Sequence, residues 1–325
     1  MITLGVESSA HTFGVGIVDK GKILANEKSM YKIGTTGMIP KKVAEFHAQN
    51  SGSVVEAALS KAGISIRDID GIGYTRGPGI GNCLQVGQIV AKTLAHKLHV
   101  PIVPVNHGIG HIEIARIRSG LRDPVVLYVS GGNSQILKIA GGSSRHYGVL
   151  GETFDIGIGN MLDNFARAAH LNPAWGSTVE KEAQGGRYME MPYTVKGMDF
   201  SFTGILTHSE KQLGKHSLRD ICFSLQETSF SMLCEAIERA MLLTDSKELC
   251  VCGGVAQNTR LKEMLGLIAS DHGARIGYAE NEFNADNGAM IAFVSERMLK
   301  AGLGVRLNKC DIEQRYRISS ATVVG

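Results

Sequence analysis

The chain lacks the signatures of several large function classes. Its six cysteines (Cys83, Cys222, Cys234, Cys250, Cys252 and Cys310) form no C-x-x-C pair, so neither a zinc ribbon nor a disulfide framework is expected. No stretch approaches the ~18 consecutive apolar residues of a membrane span. Met1 leads directly into a strand-like run, ITLGVESS, with no basic segment, apolar core and cleavage site before it, and a cytoplasmic protein is expected. Strong charge of one sign is missing too: 34 Lys and Arg against 31 Asp and Glu leave a net charge of +3. That balance permits a nucleic-acid partner without arguing for one, because dedicated binders carry a larger and more clustered excess.

Familiar nucleotide and nucleophile motifs are also absent. GPGIGN, Gly77 to Asn82, has glycines without the G-x-G-x-x-G spacing, and no acidic residue follows about 20 positions later. Lys92-Thr93 lacks the glycine that precedes a P-loop lysine, and no G-x-S-x-G elbow occurs. Glycine itself is abundant, at 40 of 325 residues, against a usual share of about 7%. Such an excess points to tight turns or to close backbone approaches to a ligand, because glycine alone accepts positive φ cheaply, or simply to a loop-rich α/β protein.

Turning to what is present, the N-terminus reads as a β-meander: a strand, a polar turn of Glu7, Ser8 and Ser9, a second strand FGVGIV, the turn DKGK and a third strand ILANEKS. Residues 41–63 read as a helix. IDGIGYTRGPGIGNCLQVGQIVAKTLAHKL adds a strand, a glycine-rich turn and a long helix. Near residue 124 the pattern recurs: PVVLYVSGGNSQILKIAGGSSRHYGVLG is again strand, polar turn (Ser130 to Ser134), strand, turn and strand. A period of this length is too long for a solenoid and predicts a duplicated α/β domain pair facing a cleft. The expected division is 1–123, carrying a histidine pair, and 124–325, carrying nucleotide loops, with a C-terminal helix able to pack back on the first half. A third small-residue turn ends the strand ELCVC at Gly253 and Gly254, and a helix is expected to start near Asn258. Strand–glycine–helix junctions of this kind suit phosphate or nucleotide contacts, since free backbone N–H groups point at the anion.

In VNHGIGHIEIARI, His107 and His111 stand four apart. On a helix they share a face and can bind one metal ion; alternatively one packs in the core and the other bonds locally. A zinc protease of the H-E-x-x-H type needs a glutamate after the first histidine, and that position is Gly108, so the general base is missing. Oxygen donors to complete a site could come from Tyr128 or from Asp286 in NEFNADNGAMIAF.

VNHGIGHIEIA, LYVSGGNSQIL, GETFDIGIGNMLDNFAR, VKGMDFSFTGILT, GGVAQNTRL and ADNGAMIA occur in this order. Together they resemble the tRNA threonylcarbamoyladenosine-synthesising transferase family in its archaeal/eukaryotic form. The family's older label, O-sialoglycoprotein endopeptidase, is the protease misreading of these histidines. The resemblance covers about residues 1–320. It implies an α/β fold of duplicated actin/sugar-kinase/chaperone-ATPase-like (ASKHA) domains around a nucleotide cleft. It assigns His107, His111, Asp286 and Tyr128 to one divalent metal ion, iron or zinc. It places Tyr128, Val129, Ser130, Gly131, Gly132, Asp163, Gly176, Glu180 and Asn258 around the substrate, with ATP or an adenylate in the cleft. Local roles compete: Asp163 could face solvent, Glu180 could close a capping box with Ser177, Gly176 could serve only the turn before it, and Asn258 could cap the next helix. Two departures stand out. Glu7-Ser8-Ser9 replaces the aspartate that phosphoryl-transferring relatives use to place magnesium, and PAWGS replaces a Pro-Gly-Gly-Pro-like turn.

The implied activity moves a threonylcarbamoyl group from threonylcarbamoyl-AMP to N6 of the adenosine beside the anticodon of ANN-reading tRNAs. The implied partners are tRNA and the KEOPS complex, with its small kinase/ATPase and two small accessory proteins. Arg116, Arg118 and Arg122 are candidate phosphate contacts, or else cations covering a helix end. Two other classes compete: an ATP-dependent small-molecule carbamoyltransferase, and a nucleotide-binding scaffold active only within a complex.

Overall fold

The computed structural model describes residues 1–32, 38–140 and 144–324. Backbone contacts divide the chain into two units. The first comprises Met1–Ile114, Ala140–Tyr147 and Ala285–Gly325, and the second Ala115–Ile139 and Gly148–Asn284.

The first unit opens with β1 (Ile2–Glu7), β2 (Thr12–Asp19) and β3 (Lys22–Met30), followed by α1 (Pro40–Ala62), β4 (Gly71–Gly77), α2 (Gly81–Leu98), β5 (Ile102–Asn106) and α3 (His107–Arg118). The strands form one sheet in the order β3-β2-β1-β4-β5. The meander is antiparallel, and β4 and β5 run parallel to β1. β1 and β2 are buried along almost their whole length rather than alternately, as strands covered on both faces must be.

The second unit repeats this plan. β6 (Val125–Val129), β7 (Ser134–Ala140) and β8 (Ser144–Glu152) form a second meander; Gly141 and Gly142, of the turn expected between β7 and β8, lie outside the described residues. Then come α4 (Ile158–Ala168), α5 (Gly176–Glu182), a short hairpin of β9 (Val195–Lys196) and β10 (Asp199–Phe200), α6 (Thr203–Gln212) and the long α7 (Leu218–Thr244). β11 (Glu248–Cys252), α8 (Thr259–Asp271), β12 (Arg275–Tyr278) and α9 (Asn281–Asn284) complete it. β11 lies parallel to β6 and β12 parallel to β11, so the order β8-β7-β6-β11-β12 matches that of the first sheet. Leu127, Phe165, Phe202, Leu225, Phe230 and Leu249 are fully buried in one apolar core.

The chain then returns to the first unit as α10 (Gly288–Lys300), and β13 (Thr322–Val324) pairs antiparallel with Ser144–His146. How α10 packs is decided by glycine. Gly16, Gly5 and Gly73 are register partners on β2, β1 and β4, forming a row across three strands. A Cβ on Gly5 or Gly16 would fall inside 3.0 Å of the backbone of Ala292 or Ala289, and one on Gly73 would strike the Ser295 side chain. Gly288 meets the backbone of Val15 and Gly16 equally closely. The helix therefore lies backbone against backbone on the sheet. Among the described residues, no helix is long and apolar enough to cross a membrane.

Replacing Gly5 by alanine should lower the unfolding free energy by about 2 kcal/mol or more, because neither backbone can yield. Gly52 lies within α1 and a Cβ there meets nothing within 4 Å; its replacement by alanine should raise stability by about 0.5–1 kcal/mol through helix propensity. Urea unfolding of the two variants checks both, and equal effects would refute the close-contact account.

Candidate functional site

Asn106 ends β5, and its side-chain oxygen accepts from the Ile109 backbone N–H at 3.2 Å. It caps α3 and so sets His107 at the first helical position. His111 follows one turn later, its ring edge-on to that of His107 with centroids 4.7 Å apart. From the other end of the first unit, Asp286 reaches them. Its Oδ1 lies 3.6 Å from His107 Nε2 and 3.4 Å from His111 Nε2. All three donor atoms fall within 4.8 Å of one another. Two ligands about 2.1 Å from a tetrahedral cation stand ~3.4 Å apart, so the spacing suits a shared ion.

Glu7, fully buried at the end of β1, faces the opposite ring nitrogen, His107 Nδ1, at 3.0 Å. Its remaining capacity is taken by the Ser9 backbone N–H and the Thr75 hydroxyl, each donating at 2.6 Å. Carboxylate–imidazole–metal arrangements use this outer contact to fix the tautomer and aim Nε2. Charge supports the same reading. Burial opposes ionisation of Glu7, yet the neighbouring His107 holds its carboxyl below the usual range. Burial likewise opposes Asp286, whose pKa is held low by both histidines. Burial also disfavours charge on His107, but Glu7 and Asp286 raise it to about 9, while burial keeps His111 below its ordinary value. Two ionised, enclosed carboxylates thus call for positive charge between them, and a divalent cation on neutral imidazoles would supply it. The donors fit iron or zinc. Tyr128 stands on β6 in the second unit, buried and in register with Cys252.

In the second unit a cleft of about 440 Å³ is lined by Gly131, Gly159, Gly176 and Gly254, by Leu162 and Val255, and by Asp163, Glu180, Asn258 and Trp175, with Ser177 and Gln257. Its size is that of a small-ligand pocket. Five residues expected around a nucleotide line it: Gly131, Asp163, Gly176, Glu180 and Asn258. Tyr128, Val129, Ser130 and Gly132 do not. Ser130 instead closes its own turn, its N–H donating to the Asn133 carbonyl at 2.7 Å. Gly253 has φ +95°, and a Cβ there would run into the Val129 carbonyl, so only glycine carries the chain from β11 past β6.

Each polar lining residue also holds backbone. Asp163 Oδ1 accepts from the Gly176 N–H at 2.7 Å. Asn258 caps α8 by accepting from the Leu261 N–H at 3.0 Å, and its amide donates to Gln226. The capping box expected of Ser177 and Glu180 does not form: α5 begins two residues earlier, behind Trp175, and Glu180 accepts from the Thr259 N–H at 2.8 Å. Of the arginines, Arg116 is buried and donates to the Leu121 and Arg122 carbonyls, covering the end of α3. Arg118 pairs with Glu280 and lies over the Phe283 ring. Arg122 is exposed.

Sequence reasoning missed Glu7 as a positioning residue. Its signal was an acidic side chain ending an otherwise apolar strand, which folding leaves buried and in need of a donor.

Two sheets of one strand order, one in each unit, give the duplicated α/β fold of the ASKHA class. T. kodakarensis HypF shares the fold, with a TM-score of 0.61 at 16% identity over 92% of this chain and 48% of that one. So does the activator of 2-hydroxyisocaproyl-CoA dehydratase from Clostridium difficile with bound ADPNP, with a TM-score of 0.55 at 13% identity over 93% and 97%. Residues 21–293 match TsaD, tRNA N6-adenosine threonylcarbamoyltransferase. The chain is 45% identical to a tRNA N6-adenosine threonylcarbamoyltransferase of Encephalitozoon cuniculi, over 99% of this chain and 98% of the relative. It belongs to this transferase family.

Glu7→Gln keeps the shape of the side chain but removes the charge behind His107. It should weaken zinc or iron binding about 10–100-fold, measured by competition with a chelator at fixed pH. Unchanged affinity would rule out the outer-contact role.

Proposed function

We propose that the protein transfers the threonylcarbamoyl group of threonylcarbamoyl-AMP to N6 of the adenosine beside the anticodon in ANN-reading tRNAs. Family membership supports tRNA threonylcarbamoyladenosine biosynthesis, and the convergence of His107, His111 and Asp286 is the observation that carries the finer reading. These three side chains would hold an iron or zinc ion. Bound there, the ion supplies a Lewis acid for an acyl carbonyl. Glu7 keeps His107 oriented with Nε2 forward. In the second unit, Gly131, Asp163, Gly176, Glu180 and Asn258 receive the adenylate, and Tyr128, Val129, Ser130 and Gly132 belong to the substrate loop of β6.

In the reaction a bond forms between N6 and the carbamoyl carbon. The bond from that carbon to the phosphate oxygen breaks, N6 loses a proton and AMP departs. An aromatic amine is a poor nucleophile, so positioning must supply much of the acceleration. The target base must also leave its stack to be reached, which favours a single-stranded tRNA loop as the substrate. The protein acts in the cytoplasm within the KEOPS complex, beside a small kinase/ATPase and two small accessory proteins.

The test is transfer from threonylcarbamoyl-AMP to tRNA by the metal-loaded protein, alone and with those partners, followed by mass spectrometry of the nucleosides. Product is expected. A His107→Ala/His111→Ala variant should bind ATP normally while losing both metal and transfer. Undiminished transfer by the metal-free variant would refute the assignment, and no product under any condition would favour a scaffold.

A further inference from the structure

We propose that Trp175 forms one wall of the base subsite in the cleft of the second unit, its indole face lying against the purine of the bound nucleotide. The inference rests on the reading above that this cleft receives an adenylate. It concerns the turn PAWGS, which leads into α5.

Three observations lead to it. The cleft wall offers four glycines without side chains, two aliphatic residues and two carboxylates; Trp175 is its one aromatic lining residue. A nucleotide has an anionic end and a flat aromatic end. Asp163 and Glu180 repel phosphate but can accept hydrogen bonds from ribose hydroxyls, so the nucleoside end belongs on their side of the cleft. Trp175 is tied to that side, because the next residue, Gly176, gives its N–H to Asp163 Oδ1 at 2.7 Å.

The second observation is that folding makes little use of the indole. Trp175 precedes α5 with extended backbone and no side-chain cap, and starts the helix through its carbonyl, which accepts from the Thr178 N–H at 2.9 Å. Any residue could supply that carbonyl. Yet the side chain stays 49% exposed, forgoing the large burial that tryptophan ordinarily contributes to a core. Third, Phe154 and Tyr188 are more exposed still, but neither lines the cleft, so aromatic exposure alone does not single out this position. Stacking on a π-face is a general means of holding a base, and removing such a face weakens binding about tenfold or more.

The chain contains a single tryptophan, so its emission reports on Trp175 without labelling. Wild-type protein is titrated with ATP, with AMP and with ribose 5-phosphate while tryptophan emission is followed. ATP affinity is measured separately by equilibrium dialysis for wild type and for Trp175→Ala, Trp175→Leu and Trp175→Phe. ATP and AMP should change the emission and ribose 5-phosphate should not. The alanine and leucine variants should bind ATP about tenfold more weakly, and phenylalanine should restore most of the affinity. The leucine variant keeps apolar cover without a ring and thus separates stacking from simple burial. Emission unmoved by saturating ATP, or wild-type affinity in the alanine and leucine variants, would remove Trp175 from the base subsite while leaving the cleft reading intact. Absence of ATP binding to wild type in dialysis would overturn the cleft reading, and this inference with it. The emission titration uses the unaltered protein and does not depend on the folding of any variant.

Discussion

A helix laid directly on the backbone of a sheet brings the carboxylate of Asp286 to the two imidazoles of α3. With side chains between them, α10 could slide or tilt by the length of a rotamer. With Gly5, Gly16 and Gly73 in a row beneath it and Gly288 above, the main chains of Ala289 and Ala292 rest on the strands themselves. Contacts of that kind have steep repulsive walls and little slack. Asn287 then caps α10 by accepting from the Met290 N–H at 2.9 Å, which fixes the direction from which the chain arrives. Asp286 is the residue immediately before that cap. Its carboxylate meets two imidazoles from α3 because a glycine row on three strands sets how closely the last long helix can approach.

The electrostatics of the first unit turn on one buried acid. At the end of β1, Glu7 is buried and its oxygens are engaged by Ser9, Thr75 and His107. A carboxylate so enclosed and so fully engaged is poorly placed to reach a hydrated cation on a nucleotide. The side chain is turned inward, toward the imidazole. An ionised carboxylate would be costly to bury alone. Here it is offset by three donors and by positive charge at the centre.

Much of the fold was legible in the residues. Two meanders with small polar turns, recurring near residues 3 and 124, foretold two sheets, and i, i+4 spacing foretold that His107 and His111 share a face. What escaped was set by long-range contact. Glycines read as turn formers proved at Gly5, Gly16 and Gly73 to be places where a helix touches a strand, and strand periodicity carries no mark of that difference. Ser177 and Glu180 have capping-box spacing, but helix α5 starts behind Trp175, so the register is wrong by two residues and the carboxylate reaches the start of α8 instead. Arg116 could be read either as a phosphate contact or as a cation covering a helix end, and its burial and two carbonyl acceptors fit the second. Glu7 was visible as an anomaly, an acid in an apolar strand, but its partner lies a hundred residues away.

Structural roles for Asp163, Glu180 and Asn258 do not exclude the binding roles proposed for them. Each places one acceptor atom on a backbone N–H of a neighbouring element, and each borders the cleft. A side chain anchored at one oxygen has already lost most of its rotamer freedom before any ligand arrives, so less entropy is lost when a second polar atom meets a ribose or base. The same bonds tie the starts of α5 and α8 to the walls, holding the glycine turns that border the cleft in place. Local caps therefore serve as the rigid support of the subsite. The two units share a strand order and differ in how their polar loops are stabilised: the first by a buried carboxylate facing an imidazole, the second by carboxylates that hold the backbone of an open cleft.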